Sequence, residues 1–392
     1  MSFNNTPTSN RPHIGLFGKR NAGKSSVFNA IIGQSHSIVS DIKGTTTDPV
    51  AKNMELLPLG PVVLMDTPGL DDHDALGSLR IEKAHQILNK TDIALLVIDA
   101  SLGMSKDDDD ILSQIQQKEI PYLIIFNKSD LVEQRKEMPD SMFISTKTGE
   151  NIHELKELLA RKGVSSSLAP PLVHDLFSPN DVIVLVIPID SAAPKGRLIL
   201  PQQQTIRDIL DYNGIAITTT EHTLKETLAS LKTPPALVIT DSQAFQIVSQ
   251  IVPEEVPLTS FSILFARHRG DLEITKAGAS TLDALANGDT VLICEGCTHH
   301  RQCDDIGTVK LPNLLRKYTK KELVFQFTSG AQFPTELSNY KLIIHCGACM
   351  LNEKEMKHRL HQAVAQKVAI TNYGMAFAYM LGIFHRGLKI LE

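Results

Sequence analysis

The sequence predicts an α/β protein built from three successive α/β domains. Three observations carry that expectation. Strand-length apolar runs alternate with segments of helical periodicity along the whole chain, which implies mostly parallel sheets covered on both faces. A glycine-rich loop follows the first apolar run. All five cysteines, Cys294, Cys297, Cys303, Cys346 and Cys349, lie beyond residue 293. The composition fits: 392 residues, 42% hydrophobic and 21% charged, are enough for two or three cores and exclude a disordered or low-complexity chain.

In the first domain, 1–162, the runs 13–17, 62–65, 93–99, 122–126 and 142–144 read as buried strands, and 75–89 and 108–118 as helices. Three serines and the pair Pro170–Pro171 mark a linker within 161–172. A second domain, 173–256, offers strands at 182–187, 215–219 and 236–240. A helix starts at Pro201 and ends before Gly214, and two more fall at 224–231 and 244–251. The run 259–265 also reads as a strand. The third domain, 257–392, has strands at 290–294, 323–327, 342–346 and 368–370, with helices between. The most apolar stretch, 369–384, is interrupted by Thr371, Asn372, Gly374 and Gly382 and falls short of the roughly 20 residues a membrane span needs. Residues 1–12 have no apolar signal core, so the expected location is the cytoplasm. A net charge of −5 gives no overall field for nucleic acid, so no nucleic-acid partner is expected.

The strand 13–17 runs into Gly18, Lys19, Arg20, Asn21, Ala22, Gly23, Lys24 and Ser25, a full G-x-x-x-x-G-K-S loop. The glycines let backbone N–H groups face phosphate oxygens, Lys24 adds a cation at the β- and γ-phosphates, and Ser25 offers a hydroxyl to Mg²⁺. Asp66, Thr67, Pro68 and Gly69 follow a strand, where Asp66 holds a Mg²⁺-bound water and the Gly69 amide meets the γ-phosphate. Thr45 and Thr46 lie between the first helix and second strand, placed to complete Mg²⁺ coordination. Asn127, Lys128, Ser129 and Asp130 end another strand. The carboxylate of Asp130 accepts both the N1 and N2 protons of guanine, which adenine cannot supply. Ser145, Thr146 and Lys147 back the base. Lys24, Thr46, Asp66 and Gly69 are the catalytic candidates.

In this order, each at a strand end, the set resembles the translation-factor-like GTPases, especially bacterial tRNA-modification and ribosome-assembly GTPases, over about residues 11–162. The resemblance implies a P-loop GTPase fold with GTP and Mg²⁺ as ligands. Two departures bear on rate. Leu70 stands where many signalling relatives place a water-orienting Gln, and Gly77 aligns with the catalytic Glu of the tRNA-modifying relatives; Asp71, Asp72 and Asp74 form an acidic loop nearby. Asn21 matches the asparagine that helps potassium-activated relatives hold K⁺. Slow, K⁺-assisted hydrolysis is expected.

The cysteines pose a second site. Cys297 and His299 follow the strand 290–294, and His345, Cys346 and Cys349 close the strand 342–346. If those strands are parallel, both sets lie at one carboxyl edge, where open sheets place ligands. Gly347 lets the loop turn so that Cys346 and Cys349 reach one centre. Three thiolates and an exchangeable ligand suit an iron–sulfur cubane; four, with Cys294, suit structural zinc; reduced structural thiols are a third reading. The zinc reading goes with an RNA- or ribosome-associated GTPase. Cys294, inside a strand, reads as an inward apolar side chain.

The Cys-x-His and His-Cys-x-x-Cys pattern behind a GTPase domain resembles the [FeFe]-hydrogenase maturation GTPases. That resemblance implies a homodimeric scaffold with GTPase, dimerisation and cluster-binding domains. It implies a [4Fe-4S] cluster on Cys297, Cys346 and Cys349, with His299, His345 and Glu295 as candidates for the fourth ligand. It further implies a di-iron precursor bearing CO and cyanide, received from radical-SAM maturases and passed to apo-[FeFe]-hydrogenase. Cys294 and Cys303 are extra to the pattern.

Overall fold

A computed structural model describes residues 8–33, 50–57, 59–67, 84–136, 138–164, 170–189, 196, 198–296, 305–330, 332–348 and 350–391. It divides into two compact units, Met1–Leu168 and Ala169–Glu392.

The first unit is built on a six-stranded sheet in the order β2-β3-β1-β4-β5-β6. The strands are β1 (His13–Phe17), β2 (Val50–Leu56), β3 (Gly60–Asp66), β4 (Ile93–Asp99), β5 (Tyr122–Asn127) and β6 (Ser141–Phe143). All pair in parallel except β2, which runs antiparallel to β3. Alternation sorts the side chains. Ile14, Leu16, Leu64, Leu95 and Val97 enter one core with Val27 and Leu155; Phe17, Met65, Leu96 and Ile98 enter the other with Ile111 and Ile115. The central strands are therefore apolar on both faces, which is why they read as continuous runs. The edge strand β2 was not expected from the sequence: its exposed and half-exposed Lys52, Asn53 and Glu55 give no apolar run. The chain leaves β1 towards β3 on one side and reaches β4 on the other. The loop after β1 thus opens at the switch point of the sheet.

The second unit carries two fully parallel four-stranded sheets. One has the order β10-β9-β7-β8, with β7 (Val182–Val186), β8 (Ile215–Thr219), β9 (Leu237–Thr240) and β10 (Leu258–Ser260). The other has the order β12-β11-β13-β14, with β11 (Thr290–Glu295), β12 (Val324–Ser329), β13 (Leu342–His345) and β14 (Ala369–Asn372). The helix Tyr373–Met380 packs on both: Met375 and Ala378 join the core of the first sheet, Ala376, Phe377 and Met380 that of the second.

One expected strand is a helix. Residues 259–265 give only the end of β10, after which the helix Phe261–Arg269 begins. The Ser260 side chain caps it by accepting the Ile263 N–H at 3.3 Å. Short apolar runs do not distinguish buried strand from buried helix. Among the described residues, no helix is long and apolar enough to cross a membrane.

Candidate functional site

The loop after β1 is shaped by backbone that side chains would not permit. Gly18 has φ 136°, and a Cβ there would lie 2.1 Å from the Val97 carbonyl oxygen. Gly23 has φ 92°, and its Cβ would meet Asn127 Nδ2 at 2.2 Å. Asn21 is left-handed at φ 64°. Lys24 is buried and donates from Nζ to the carbonyls of Gly18 at 2.9 Å and Lys19 at 2.7 Å. The ammonium therefore sits inside the curl of the loop, where a phosphate oxygen competes with those carbonyls.

Ser25 Oγ donates to Asp66 Oδ2 at 2.6 Å, so the two residues expected at Mg²⁺ meet across the site. Burial pushes the Asp66 carboxyl up, with the Ser25 hydrogen bond and the Lys24 charge opposing. Asp66 Oδ1 is buried with no hydrogen-bond partner among the described residues. A buried acceptor left over beside Ser25 fits a hydrated divalent cation. Thr45, Thr46, Gly69, Leu70 and Gly77 lie outside the described residues.

The residues expected to read the base are tied to the phosphate loop. Asn127 Nδ2 donates to the Ala22 carbonyl at 3.2 Å, while its Oδ1 accepts from the Thr146 N–H and hydroxyl, both at 3.3 Å. Lys128, left-handed at φ 63°, donates to the Asn21 carbonyl at 2.9 Å and to Asp99. Ser145 Oγ donates to Asp130 Oδ1 at 2.7 Å, and Lys147 Nζ lies 3.9 Å from Oδ2. The carboxylate is thus oriented from behind. Sequence reasoning missed Asp99, which holds Lys128. It also missed Glu150, which accepts from Ser129 Oγ at 2.6 Å and pairs with Arg135. Neither belongs to a recognisable spacing.

In the second unit, β11 and β13 are parallel neighbours with Cys294 opposite His345, so the loops after both strands open at one carboxyl edge. The edge is again a switch point, since the chain passes from β11 to β12 on one side and to β13 on the other. The half-buried Cys346 Sγ accepts the N–H of Gly296 at 3.0 Å and of Ala348 at 3.4 Å. Two backbone amides are thus aimed at this sulfur. Cys297, His299, Cys303 and Cys349 lie outside the described residues. Among the described residues no three His, Cys, Asp or Glu groups cluster for a metal. The donor chemistry of Cys346 fits a thiolate-bound centre. The expected turn residue differs: the left-handed position is Ala348, at φ 54°, and a Cβ on Gly347 would meet nothing.

Strand parity separates the remaining candidates. Cys346 packs with the core that contains Val291, Ile293 and Ile344, whereas Cys294 is buried in the opposite core with Leu292, Ile343 and Leu360. Burial pushes the Cys294 thiol up to about 11. Glu295 is buried, with the Tyr373 hydroxyl 3.5 Å from Oε1. His345 is fully buried, its Nε2 accepting from Arg359 Nη1 at 3.0 Å and its Nδ1 lying 2.9 Å from the Cys346 carbonyl. Burial, with the Arg359 charge, pushes its imidazole down to about 3. With both ring nitrogens engaged, His345 as placed offers no lone pair to a metal.

Residues 172–270 match the Hydrogen maturase F dimerization domain, and residues 273–390 the Hydrogen maturase F tetramerization domain. The chain belongs to the hydrogen maturase F family. Residues 13–128 match the 50S ribosome-binding GTPase family, so a GTPase domain precedes the two maturase domains and implies GTP and Mg²⁺ as ligands. The dimerization and tetramerization matches support self-association, and the second covers the segment expected to bind the cluster.

Curated relatives resemble the first domain. GTPase Der of Kosmotoga olearia is 38% identical over 127 residues, 31% of this chain and 28% of its own. The tRNA modification GTPase MnmE of Carboxydothermus hydrogenoformans is 39% identical over 119 residues, 30% of this chain and 25% of its own. The chain thus spans only about a quarter of the length of these relatives. Among solved structures, Era of Aquifex aeolicus bound to GDP and AlF4⁻ is 22% identical, covering 53% of this chain and 92% of that one, with a TM-score of 0.34. The G domain of the T. maritima FeoB iron transporter is also 22% identical, covering 40% and 99%, with a TM-score of 0.32.

Proposed function

We propose that this maturase F is a cytoplasmic, GTP-hydrolysing scaffold that carries a [4Fe-4S] cluster on Cys297, Cys346 and Cys349. The observation that carries the reading is the Cys346 sulfur, held by two backbone amides at a sheet switch point, in a chain whose first unit has a preformed phosphate and guanine site. In this reading residues 1–162 bind and hydrolyse GTP, 173–256 form a homodimer and 257–392 hold the cluster. The scaffold receives the di-iron CO/CN precursor from radical-SAM maturases and delivers it to apo-[FeFe]-hydrogenase.

Lys24, Ser25 and Asp66 hold the phosphates and Mg²⁺, with Thr46 and Gly69 completing the set, and Asp130 selects guanine. Mg²⁺ neutralises charge that builds on the phosphates during transfer. Asn21 holds K⁺. With Leu70 unable to orient water, hydrolysis is slow, which suits a switch. The cluster supplies an exchangeable iron position. Glu295 and His299 remain the fourth-ligand candidates, because His345 is engaged by Arg359.

Serine at Cys297, Cys346 or Cys349 tests this, since hydroxyl oxygen is a poor replacement for thiolate on iron. Each variant is expected to lose iron, sulfide and hydrogenase maturation while GTP turnover persists; Lys24→Ala should weaken phosphate binding and leave the reconstituted cluster intact. Full iron content and maturation in all three serine variants would refute the scaffold. Colourless wild-type protein with stoichiometric zinc would favour the structural-zinc alternative.

A further inference from the structure

Cys346 is held in place by a residue from outside its own segment. Arg269 ends the helix Phe261–Arg269, is only 3% exposed, and donates from Nη1 to the carbonyls of Leu351 at 2.8 Å and Ala348 at 3.3 Å. Its guanidinium also lies 5.4 Å from the centroid of the Phe265 ring, and Nη2 is 3.3 Å from Gln204 Oε1. Ala348 is the pivot. Its carbonyl is gripped by Arg269, its N–H points at Cys346 Sγ, and its backbone is left-handed at φ 54°, which costs energy for any residue with a Cβ. A strained residue persists where its surroundings over-determine it. Here those surroundings are the guanidinium on one side and the sulfur on the other.

The arginine is itself fixed. The two residues before it anchor the same helix end to the segment that opens the second unit. Arg267 Nη2 donates to the carbonyls of Pro171 at 3.0 Å and Leu172 at 2.9 Å and pairs with Asp175, while His268 Nδ1 lies 2.7 Å from the Pro170 carbonyl. Arg269 therefore reaches the Cys346 loop from a helix end that is bonded on both sides.

We infer that Arg269 is a positioning residue for the cluster: by clamping Ala348 and Leu351 it holds the amide that hydrogen-bonds to the Cys346 sulfur and fixes the loop that follows it. Nη1 serves both carbonyls through its two N–H bonds while Nη2 reaches Gln204, a three-acceptor arrangement that a lysine ammonium reproduces only in part. The inference rests on the cluster reading above, and its test separates the two.

The full chain is reconstituted anaerobically with iron and sulfide as wild type, Arg269→Met and Arg269→Lys. The electron paramagnetic resonance spectrum of the reduced cluster and the rate of iron loss to a chelator are then measured. Circular dichroism, sedimentation and GTP turnover serve as controls for a structural effect. Arg269→Met keeps an unbranched side chain without the donors and should lose iron roughly tenfold faster, the range usual for groups that orient metal ligands. Its spectrum should be altered, with fold, self-association and GTP turnover as in wild type. Arg269→Lys should fall between. Folded variants with wild-type spectrum and iron-loss rate would overturn the inference and leave the cluster reading standing. Wild type that takes up no iron would overturn both. Should Arg269→Met fail to fold, Arg269→Lys decides by the same two readouts.

Discussion

Gly23→Ala tests whether the phosphate loop and the guanine-reading residues form one preorganised unit. The added Cβ would sit in a left-handed backbone, a cost of roughly 1–2 kcal/mol. It would also stand 2.2 Å from Asn127 Nδ2, which can yield only by leaving the Ala22 carbonyl. Breaking a buried hydrogen bond of this kind costs about 1–3 kcal/mol. Together these put about 3 kcal/mol against the binding-competent loop, or roughly a hundredfold in Kd for GTP. Gly33→Ala is the internal control: its φ is 80°, but a Cβ there meets nothing within 4 Å. It should lower stability by about 1–2 kcal/mol and leave Kd unchanged. Titration with a fluescent guanine nucleotide and thermal unfolding of both variants measure the two effects. If Gly23→Ala binds as tightly as wild type, or if Gly33→Ala weakens binding equally, the coupling through Asn127 is refuted.

Wild type should bind GTP over ATP, and Asp130→Asn should turn preference towards xanthine nucleotides, whose O2 accepts where the guanine N2–H donated; equal affinity for ATP and GTP in wild type would contradict the role of Asp130. GTP turnover should be faster in K⁺ than in Na⁺ at matched ionic strength, and identical rates would remove the Asn21 potassium reading while leaving the GTPase intact. Cys294, fully buried and pushed up to about 11, should resist iodoacetamide at pH 8 in folded apo-protein while Cys346 reacts; mass spectrometry distinguishes them, and equal labelling would mean that the β11–β13 register differs.

The sequence made the frame legible where one physical signal dominated. Central parallel strands such as β4 are apolar on both faces, so they appear as uninterrupted runs, and the glycines of the phosphate loop announce a backbone that no other residue tolerates. What stayed hidden needed tertiary context. β2 is an edge strand whose exposed residues carry no apolar run. The stretch from Thr259 to Phe265 is apolar either as strand or helix, and only the Ser260 cap decides. The site shows the same division. Asn127, Asp130 and Cys346 belong to spacings with a chemical reason. Asp99, Glu150, Arg269 and Arg359 do not, because each acts on a loop distant in sequence. The basic triplet Arg267, His268 and Arg269 belongs to no motif, and nothing local indicates that its members reach Pro170 and Ala348.

Among the described residues, two buried guanidiniums of the second unit point to why this sheet edge is built as it is. Withdrawing an arginine from water costs several kcal/mol, and replacing a buried ion pair with apolar groups of similar volume is often neutral or stabilising. Stability is therefore a weak reason for Arg359, which is fully buried and bonded to Glu355 at 2.9 Å, to His345 Nε2 at 3.0 Å and to the Gly330 carbonyl at 3.0 Å. It is an equally weak reason for Arg269. What the two share is placement. Arg359 fixes the ends of β12 and β13, while Arg269 fixes the loop after Cys346. The guanidiniums thus hold the edge from two different helices, one at the strand ends and one at the loop that follows Cys346. On the scaffold reading proposed above, a thiolate site that accepts and releases cargo without losing its shape requires that kind of support, and a core filled with leucine could not provide it.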